Sequence, residues 1–254
     1  MSDTNVCAIR QMGLVPETLH APVQAADFDL CVAPCTAMID PASQHPDLQR
    51  LAERLASNLA RAHNLVSIYQ LLAGSTRGRR SVGDTDVLRS AVVLIHASLE
   101  DFLRSLARSY LPKARPEVMN AIPLKGGGRS GRPGKFSMGD LAEHRGKTVD
   151  ELIEESIEAY LDRSNYNNTS DIAALLANLN VDVEPVRQFF PELDRMIARR
   201  HQIVHRADCT AETGRGRHRA RSLRVSEVES WINVVSNFHG SVLLQIQLKQ
   251  AQNV

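Results

Sequence analysis

The sequence is poor in aromatic residues and contains no long apolar run. Phe, Trp and Tyr together make up 4% of the 254 residues, which favours a core of aliphatic side chains packed between helices. No apolar run approaches the roughly 18 residues that indicate a membrane-spanning helix. The N-terminus has no basic region followed by an apolar stretch, as a signal peptide would. We therefore expect a soluble, cytoplasmic protein that makes no membrane contact.

The four cysteines form no recognisable metal or redox motif. Neither zinc-type pairs nor the two-residue spacing of thioredoxin-like motifs occurs among Cys7, Cys31, Cys35 and Cys209. Reduced thiols in a cytosolic protein are the expectation. The formal net charge is only +1, so the chain as a whole is not a polycation. Any affinity for nucleic acid must come from local basic patches.

Helical periodicity dominates the chain from residue 46 onwards, because apolar residues recur there at three- and four-residue steps. Three long helices and two shorter ones are predicted, over residues 47–73, 84–111, 225–250, 148–161 and 172–179. Thr148 and Glu151 form a capping box at the start of one of them, and Pro191 begins a further helix. The fold class is therefore predicted to be all-α, a bundle of long up-and-down helices with additional short helices.

Three segments depart from this helical pattern. Residues 1–45 are proline-rich and aperiodic, and we interpret them as an N-terminal extension of unclear structure preceding a helical domain at 46–254. Two basic, glycine-rich loops follow at 125–135 and 214–221. Each loop is either a solvated linker or a mobile segment that follows a nucleic-acid backbone. On the second interpretation the RNA-binding residues are Arg129, Arg132, Lys135, Arg215, Arg217 and Arg219.

The most informative stretch is Arg199–Asp208, which reads Arg-Arg-His-Gln-Ile-Val-His-Arg-Ala-Asp. Apolar residues in and before it recur as one buried helical stripe would, at Leu193, Met196, Ile197, Ile203 and Val204. At about 100° per residue, Arg200 falls near the middle of that stripe. A guanidinium that faces a core is costly unless it is paired or used.

Four interpretations of this stretch are open on the residues alone. The first is an amphipathic helix whose arginine reaches out of the packing to solvent. The second is a metal site, since His201 and His205 stand four apart, but Gln202 occupies the position of the zinc-protease glutamate and no third ligand is fixed by spacing. The third is an acid–base site on phosphate, with an arginine clamp and a histidine proton carrier. The fourth is a patch that binds phosphate but catalyses no reaction.

The order of residues in this stretch resembles the signature of HEPN domains. The similarity is greatest to the RiboL-PSP type, and it is carried by Arg200-His201-Gln-Ile-Val-His205-Arg-Ala-Asp208. Residues 95–103, which read Ile-His-Ala-Ser-Leu-Glu-Asp-Phe-Leu, resemble the earlier core helix of that family. The resemblance extends from roughly residue 46 to the C-terminus and implies a HEPN-like helical bundle.

The resemblance also implies a metal-independent endoribonuclease that uses no cofactor. In such an enzyme the 2′-OH of RNA attacks the adjacent phosphate and leaves a 2′,3′-cyclic phosphate, which requires a base, an acid and positive charge. The implied roles are proton transfer for His205, phosphate binding for Arg200, and phosphate orientation or a second proton transfer for His201. Arg199 is a supporting candidate.

Glu100 is the second supporting candidate. His96, Glu100 and Arg104 stand four apart on one helix. On spacing alone they are predicted to form an ordinary ladder of neighbouring polar side chains on the helix surface. The resemblance instead raises Glu100 as a polar residue that supports the active arginine and histidine.

RNA and a second copy of the chain are the expected partners. Arg200 and His205 differ in direction by about 140° on an ideal helix, so one motif makes an incomplete site. HEPN domains pair so that two motifs meet across a symmetric cleft, which implies a homodimer. The family also implies a role in toxin–antitoxin systems or antiviral defence, with an antitoxin or regulatory protein as a further partner. The alternative is a non-catalytic HEPN module that binds RNA or a nucleotide.

Overall fold

The structure is a computed structural model, and it describes residues 46–74, 82–125, 138–209 and 220–252. Within these ranges the chain forms eight α-helices, which are α1 (Pro46–Gly74), α2 (Val82–Tyr110), α3 (Pro116–Met119), α4 (Met138–Ala142), α5 (Val149–Leu161), α6 (Thr169–Asn178), α7 (Phe190–Arg206) and α8 (Val225–Gln252). Two 3-10 helices, Leu111–Lys113 and Glu184–Phe189, join them. The described ranges contain no β-strand, and the all-α prediction is confirmed.

The long helices α1, α2 and α8 pack against one another, and α7 packs against α2 and α8. Most of their apolar positions are buried, because each helix turns one apolar stripe toward the common core. Exposed apolar side chains occur near the end of α1 and in the second half of α8, at Ile68, Leu71, Leu72, Leu244 and Leu248. The central residues of α2 and α8 are fully covered, including Leu88, Val92, Ile95, Leu99, Val228, Val235 and Phe238. Each such side chain stabilises the fold by about 1.5–3 kcal/mol. Helix α7 is therefore attached to the centre of the bundle.

The start of α5 confirms the predicted capping box. The hydroxyl of Thr148 accepts a hydrogen bond from the backbone N–H of Glu151 at 3.2 Å, and the carboxylate of Glu151 accepts one from the N–H of Thr148 at 2.7 Å. These two bonds satisfy amides that the first helical turn leaves without partners. The short helices α3 and α4 were not predicted, because four or five residues show no readable period.

Residues 1–45 and the basic segments 126–137 and 210–219 lie outside the described residues. The domain boundary at residue 45 therefore stays a prediction. All the described residues belong to one compact unit. None of the helices described is both long and apolar enough to cross a membrane.

Candidate active site

Helix α7 carries the motif and ends in an unusual turn. Pro191 lies in its first turn, where the missing N–H costs no hydrogen bond. At the other end Ala207 and Asp208 adopt left-handed conformations, with φ of 47° and 56°. Residues with a side chain seldom adopt this conformation, and each costs about 1–2 kcal/mol. Two consecutive residues of this kind reverse the chain sharply, so that Asp208 turns back beneath the helix.

The side chain of Asp208 is fully buried between two arginines. Its Oδ2 accepts a 2.7 Å hydrogen bond from Nε of Arg89 on α2 and a 2.8 Å bond from Nη2 of Arg199 on α7. Burial lowers the pKa of Arg199, and the Asp208 charge opposes that shift. A buried carboxylate between two guanidinium groups is strongly held, because removing any member leaves an uncompensated charge. The carboxylate therefore fixes the end of α7 to α2.

The same cluster joins the two ends of the segment that follows α7. The N–H of Arg221 donates to the carbonyl of Asp208 at 2.9 Å, and Cys209 and Ala220 form an antiparallel bridge. Arg89 and Arg199 both donate to the carbonyl of Arg221, at 2.8 and 3.1 Å. Residues 209 and 220 are thus held side by side.

The burial pattern of α7 corrects two expectations. The buried arginine is Arg199, which is 9% exposed, and Arg200 is only half-buried. Val204, expected in the buried stripe, is 49% exposed. The reason is that Asp208 and two backbone carbonyls provide partners for Arg199, whereas the last turn of α7 extends beyond the core. Helical periodicity contains no information about these partners.

His201 and His205 lie together on the exposed face of α7. Their ring centroids are 4.5 Å apart and the ring planes are inclined at 43°. Both residues are exposed, so both rings are accessible to a ligand. Histidine is the side chain that exchanges protons near neutral pH. The arrangement therefore provides two adjacent groups that can transfer protons or bind a phosphate.

Arg200 lies on another side of α7, near His96 of α2. The Nε of Arg200 and both ring nitrogens of His96 are buried, and no hydrogen bond of standard geometry reaches them from the described residues, although the backbone of Tyr166 lies close enough to His96 to raise its pKa. The Nδ1 of His96 is 3.8 Å from the carboxylate of Glu100, whose side chain is 20% exposed. Burial lowers the pKa of His96, the Glu100 charge raises it, and the Arg200 charge lowers it. Glu100 and Arg200 thus act electrostatically on the same buried imidazole.

The predicted ladder of His96, Glu100 and Arg104 is not a surface feature. His96 is fully buried. Arg104 donates to the carbonyl oxygens of Leu161 and Ser164 at the end of α5, and its guanidinium lies 5.9 Å from the ring centre of Tyr166. Arg104 therefore joins α2 to the segment between α5 and α6, and the interpretation as an exposed ladder is wrong.

A cleft of about 350 Å³ opens beside the histidine pair, between α7 and the segment that precedes α6. His201 and Arg206 are part of its lining. Within the described ranges, no group of three or more His, Cys, Asp or Glu side chains is arranged to hold a metal ion. The candidate site is thus made of two histidines, arginines and a neighbouring cleft.

The six predicted RNA-binding residues all lie outside the described residues, at Arg129, Arg132, Lys135, Arg215, Arg217 and Arg219. Of the candidates on α7, the structure brings His201 and His205 together on the exposed face, whereas Arg199 is buried against Asp208 and Arg200 lies on another side, near His96. It adds Arg89, Arg221 and the role of Asp208, which the sequence did not reveal. Asp208 is part of the motif, but the sequence contains no signal that connects it to Arg89 or Arg221, which lie on other segments of the chain.

The family comparison agrees with this architecture. The family model described as RiboL-PSP-HEPN matches residues 57–241, which is well over half of the chain. The comparisons with curated proteins and with solved structures gave no match. The helical bundle and the motif define a HEPN domain. The chain belongs to the RiboL-PSP-HEPN family.

Proposed function

We propose that the protein is a metal-independent endoribonuclease whose active site is built around Arg200, His201 and His205. The observation that carries the proposal is the exposed histidine pair, with 4.5 Å between ring centroids, on the last turns of a helix anchored by Asp208. Two adjacent imidazoles provide the proton carriers that cleavage of RNA by its own 2′-OH requires, and Arg200 on the same turns of α7 provides the positive charge.

In the proposed reaction, a histidine accepts the proton of the 2′-OH while the 2′ oxygen attacks phosphorus. The bond from phosphorus to the 5′ oxygen breaks, and a second histidine donates a proton to the departing oxygen. The products are a 2′,3′-cyclic phosphate and a 5′-OH. His205 is assigned the main proton transfer, and His201 orients the phosphate or carries the second proton. Arg200 neutralises the charge that accumulates on the phosphoryl oxygens.

We also propose that the chain acts as a homodimer. Arg200 is half-buried toward α2 whereas His205 is exposed, so one motif directs the two groups to different sides. Two copies related by a twofold axis supply both a base and an acid to one phosphate. Glu100 supports the site from α2, because its charge and the charge of Arg200 both act on the buried imidazole of His96.

The proposed setting is the cytoplasm, in a toxin–antitoxin or antiviral defence system in which an antitoxin or regulatory protein restrains the enzyme. Family membership supports this setting. In the same proposal, the basic segments at 125–135 and 214–221 hold the RNA backbone.

Cleavage of total RNA and tRNA in the presence of EDTA tests the enzyme. We expect cuts that leave a cyclic phosphate, with a rate that falls by about 10²–10⁴-fold in His205→Ala. The matched control is His63→Ala, which removes an exposed histidine of α1 and is expected to leave the rate unchanged. Thermal melting confirms that both variants are folded.

Three results would contradict the proposal. Cleavage that survives His205→Ala places the chemistry elsewhere, and cleavage that requires a divalent metal excludes the mechanism. RNA binding without any cleavage favours the non-catalytic HEPN module that binds RNA or a nucleotide.

A further inference from the structure

The cleft beside His201 has the composition of a nucleotide-binding subsite. Ile197 and Ala198 contribute apolar atoms to its lining, whereas Asn167, Asp194 and Gln202 contribute polar groups. Its volume of about 350 Å³ is within the range of small-molecule sites, which are about 300–1,000 Å³. An apolar surface bordered by a few fixed polar groups suits a flat heterocycle, whose faces are apolar and whose edges form hydrogen bonds.

Asp194 is fixed in orientation before any ligand arrives. One carboxylate oxygen accepts a 3.1 Å hydrogen bond from the backbone N–H of Thr169, and the other accepts a 2.9 Å bond from the Thr169 hydroxyl. Each carboxylate oxygen can accept a second hydrogen bond, and Asp194 is exposed. The side chain therefore offers two adjacent acceptors at a defined position in the cleft.

Two adjacent acceptors distinguish guanine from the other bases. The Watson–Crick edge of guanine presents two neighbouring donors, N1–H and the N2 amino group, which match a carboxylate. Adenine and cytosine present one amino donor beside an acceptor nitrogen, and uracil presents one N–H between two carbonyl oxygens. Facing a carboxylate, each of these three bases makes fewer hydrogen bonds and brings acceptors against a negative charge.

The remaining polar groups complement guanine. The Oε1 of Gln202 accepts a 2.6 Å hydrogen bond from Arg221, which orients the amide and leaves its NH2 group able to donate toward a base. Asn167 also lines the cleft and contributes a second amide. These donors suit the O6 and N7 acceptors of guanine.

A phosphate has a place next to such a base. His201 and Arg206 line the cleft. Arg206 is exposed, and none of the described residues forms an ion pair or hydrogen bond with its side chain. The ring of His201 in turn lies 4.5 Å from that of His205. A nucleotide held in the cleft is therefore adjacent to the proposed proton carriers.

We propose that this cleft is a guanine subsite, in which Asp194 accepts hydrogen bonds from N1–H and N2 of an unpaired guanine beside the scissile phosphate. The inference rests on the proposed ribonuclease activity and adds its base preference. It identifies Asp194 as the residue that determines specificity.

Mapping cleavage sites in an RNA of random sequence tests the subsite. Wild type is expected to cut with guanine enriched at one fixed position next to the break. Asp194→Asn replaces one acceptor with a donor, and the preference should fall by about tenfold or more. The matched control is Asp150→Asn, which makes the same change at an exposed carboxylate of α5 outside the cleft, and it should keep the preference. Cleavage by wild type without guanine enrichment, or a preference that survives Asp194→Asn, would overturn the proposal.

Binding separates this inference from the proposed function. The His205→Ala protein is titrated with GMP, AMP, CMP and UMP, with and without Asp194→Asn. Tighter binding of GMP that depends on Asp194 supports the subsite even when no RNA is cleaved, and in that case only the ribonuclease proposal fails. Equal binding of the four nucleotides overturns the subsite whether or not RNA is cleaved. Asn167→Ala leaves the Asp194–Thr169 contacts intact and should also weaken GMP binding, which keeps the test decisive if Asp194→Asn does not fold.

Discussion

Arg89 and Asp208 are 119 positions apart in the sequence, and their side chains form a buried 2.7 Å hydrogen bond. The same carboxylate oxygen also accepts from Arg199 at 2.8 Å. This arrangement connects the end of the motif helix to the central helix of the bundle. The exposed histidines are therefore carried by a helix whose end is fixed to the core, which would hold the proposed active site in a defined geometry.

Replacing Asp208 with alanine is expected to destabilise the fold severely. The change leaves Arg89 and Arg199 buried without their shared counter-charge, which costs about 3–5 kcal/mol in free energy of unfolding. Urea denaturation followed by circular dichroism measures this loss. Asp86→Ala is the matched control, because Asp86 also pairs with Arg89 but its side chain is 64% exposed, and such pairs contribute about 0–1 kcal/mol. Similar losses for both variants would contradict the anchoring role of Asp208.

His239 is expected to make the stability fall as the solution is acidified. Burial lowers the pKa of its imidazole to about 4, and the ring packs edge-on against Phe102 at 4.7 Å. Below the unfolded pKa of about 6.5, the unfolded chain binds a proton that the native state does not. The contribution of His239 to the unfolding free energy is thus constant above that pH and has fallen by about 2 kcal/mol at pH 5.

Urea denaturation at pH 7 and pH 5 measures this effect in wild type and in His239→Phe. The decrease between the two pH values should be smaller in the variant by about 2 kcal/mol. His96 is unchanged in both proteins, so its own lowered pKa cancels from the comparison. An identical decrease in the two proteins would show that His239 does not titrate as expected.

The proposed dimer predicts a mass of twice 28.1 kDa by gel filtration with light scattering at micromolar concentration. Val204 is exposed and directly precedes His205, so in the proposed dimer it lies in the surface where the two motifs meet. Val204→Asp should shift the protein toward monomer and lower RNA cleavage, because a buried unpaired carboxylate is unfavourable at an interface. Leu248→Asp is the control, since Leu248 on α8 is 50% exposed and Val204 is 49% exposed. A monomeric wild type, or a dimeric Val204→Asp, would refute the proposed interface.

The basic loop at 125–135 predicts a salt-dependent affinity for RNA. In the His205→Ala protein, log K for single-stranded RNA should fall linearly with log salt concentration, and the slope should decrease by about 0.7 for each phosphate contact removed. The double variant Arg129→Ala and Arg132→Ala is compared with Arg50→Ala and Arg61→Ala, which removes two exposed charges of α1. Equal slopes for the two double variants would exclude the loop from RNA binding.

The helices were predictable because their signals are local. Three- and four-residue steps, the Thr148 capping box and Pro191 each act within one or two turns, and the structure confirms helices at all these places. The motif could also be found from sequence, since its residues are consecutive on one helix. The resemblance to HEPN domains is confirmed by the family match.

The burial of the motif's arginines was not predictable from the sequence. Helical phase assigned the buried position to Arg200, but the deciding contact is Asp208, which reaches Arg199 only because Ala207 and Asp208 adopt left-handed conformations without being glycine. The second partner, Arg89, comes from another helix. The four-residue spacing of His96 and Glu100 likewise favours an exposed position for His96. The residue is buried instead because α7 packs against α2, and spacing along one helix contains no information about that contact. Long-range contacts of this kind leave no periodic signal.

The bridge between Cys209 and Ala220 has an evolutionary consequence. Cys209 and Ala220 are paired with each other, and Arg89 binds the carbonyl of the next residue, Arg221. The position of α7 is therefore fixed by these contacts and not by the length or composition of the sequence between residues 209 and 220. Substitutions, insertions or deletions between these two ends are therefore expected to leave the helix that carries the histidines in place.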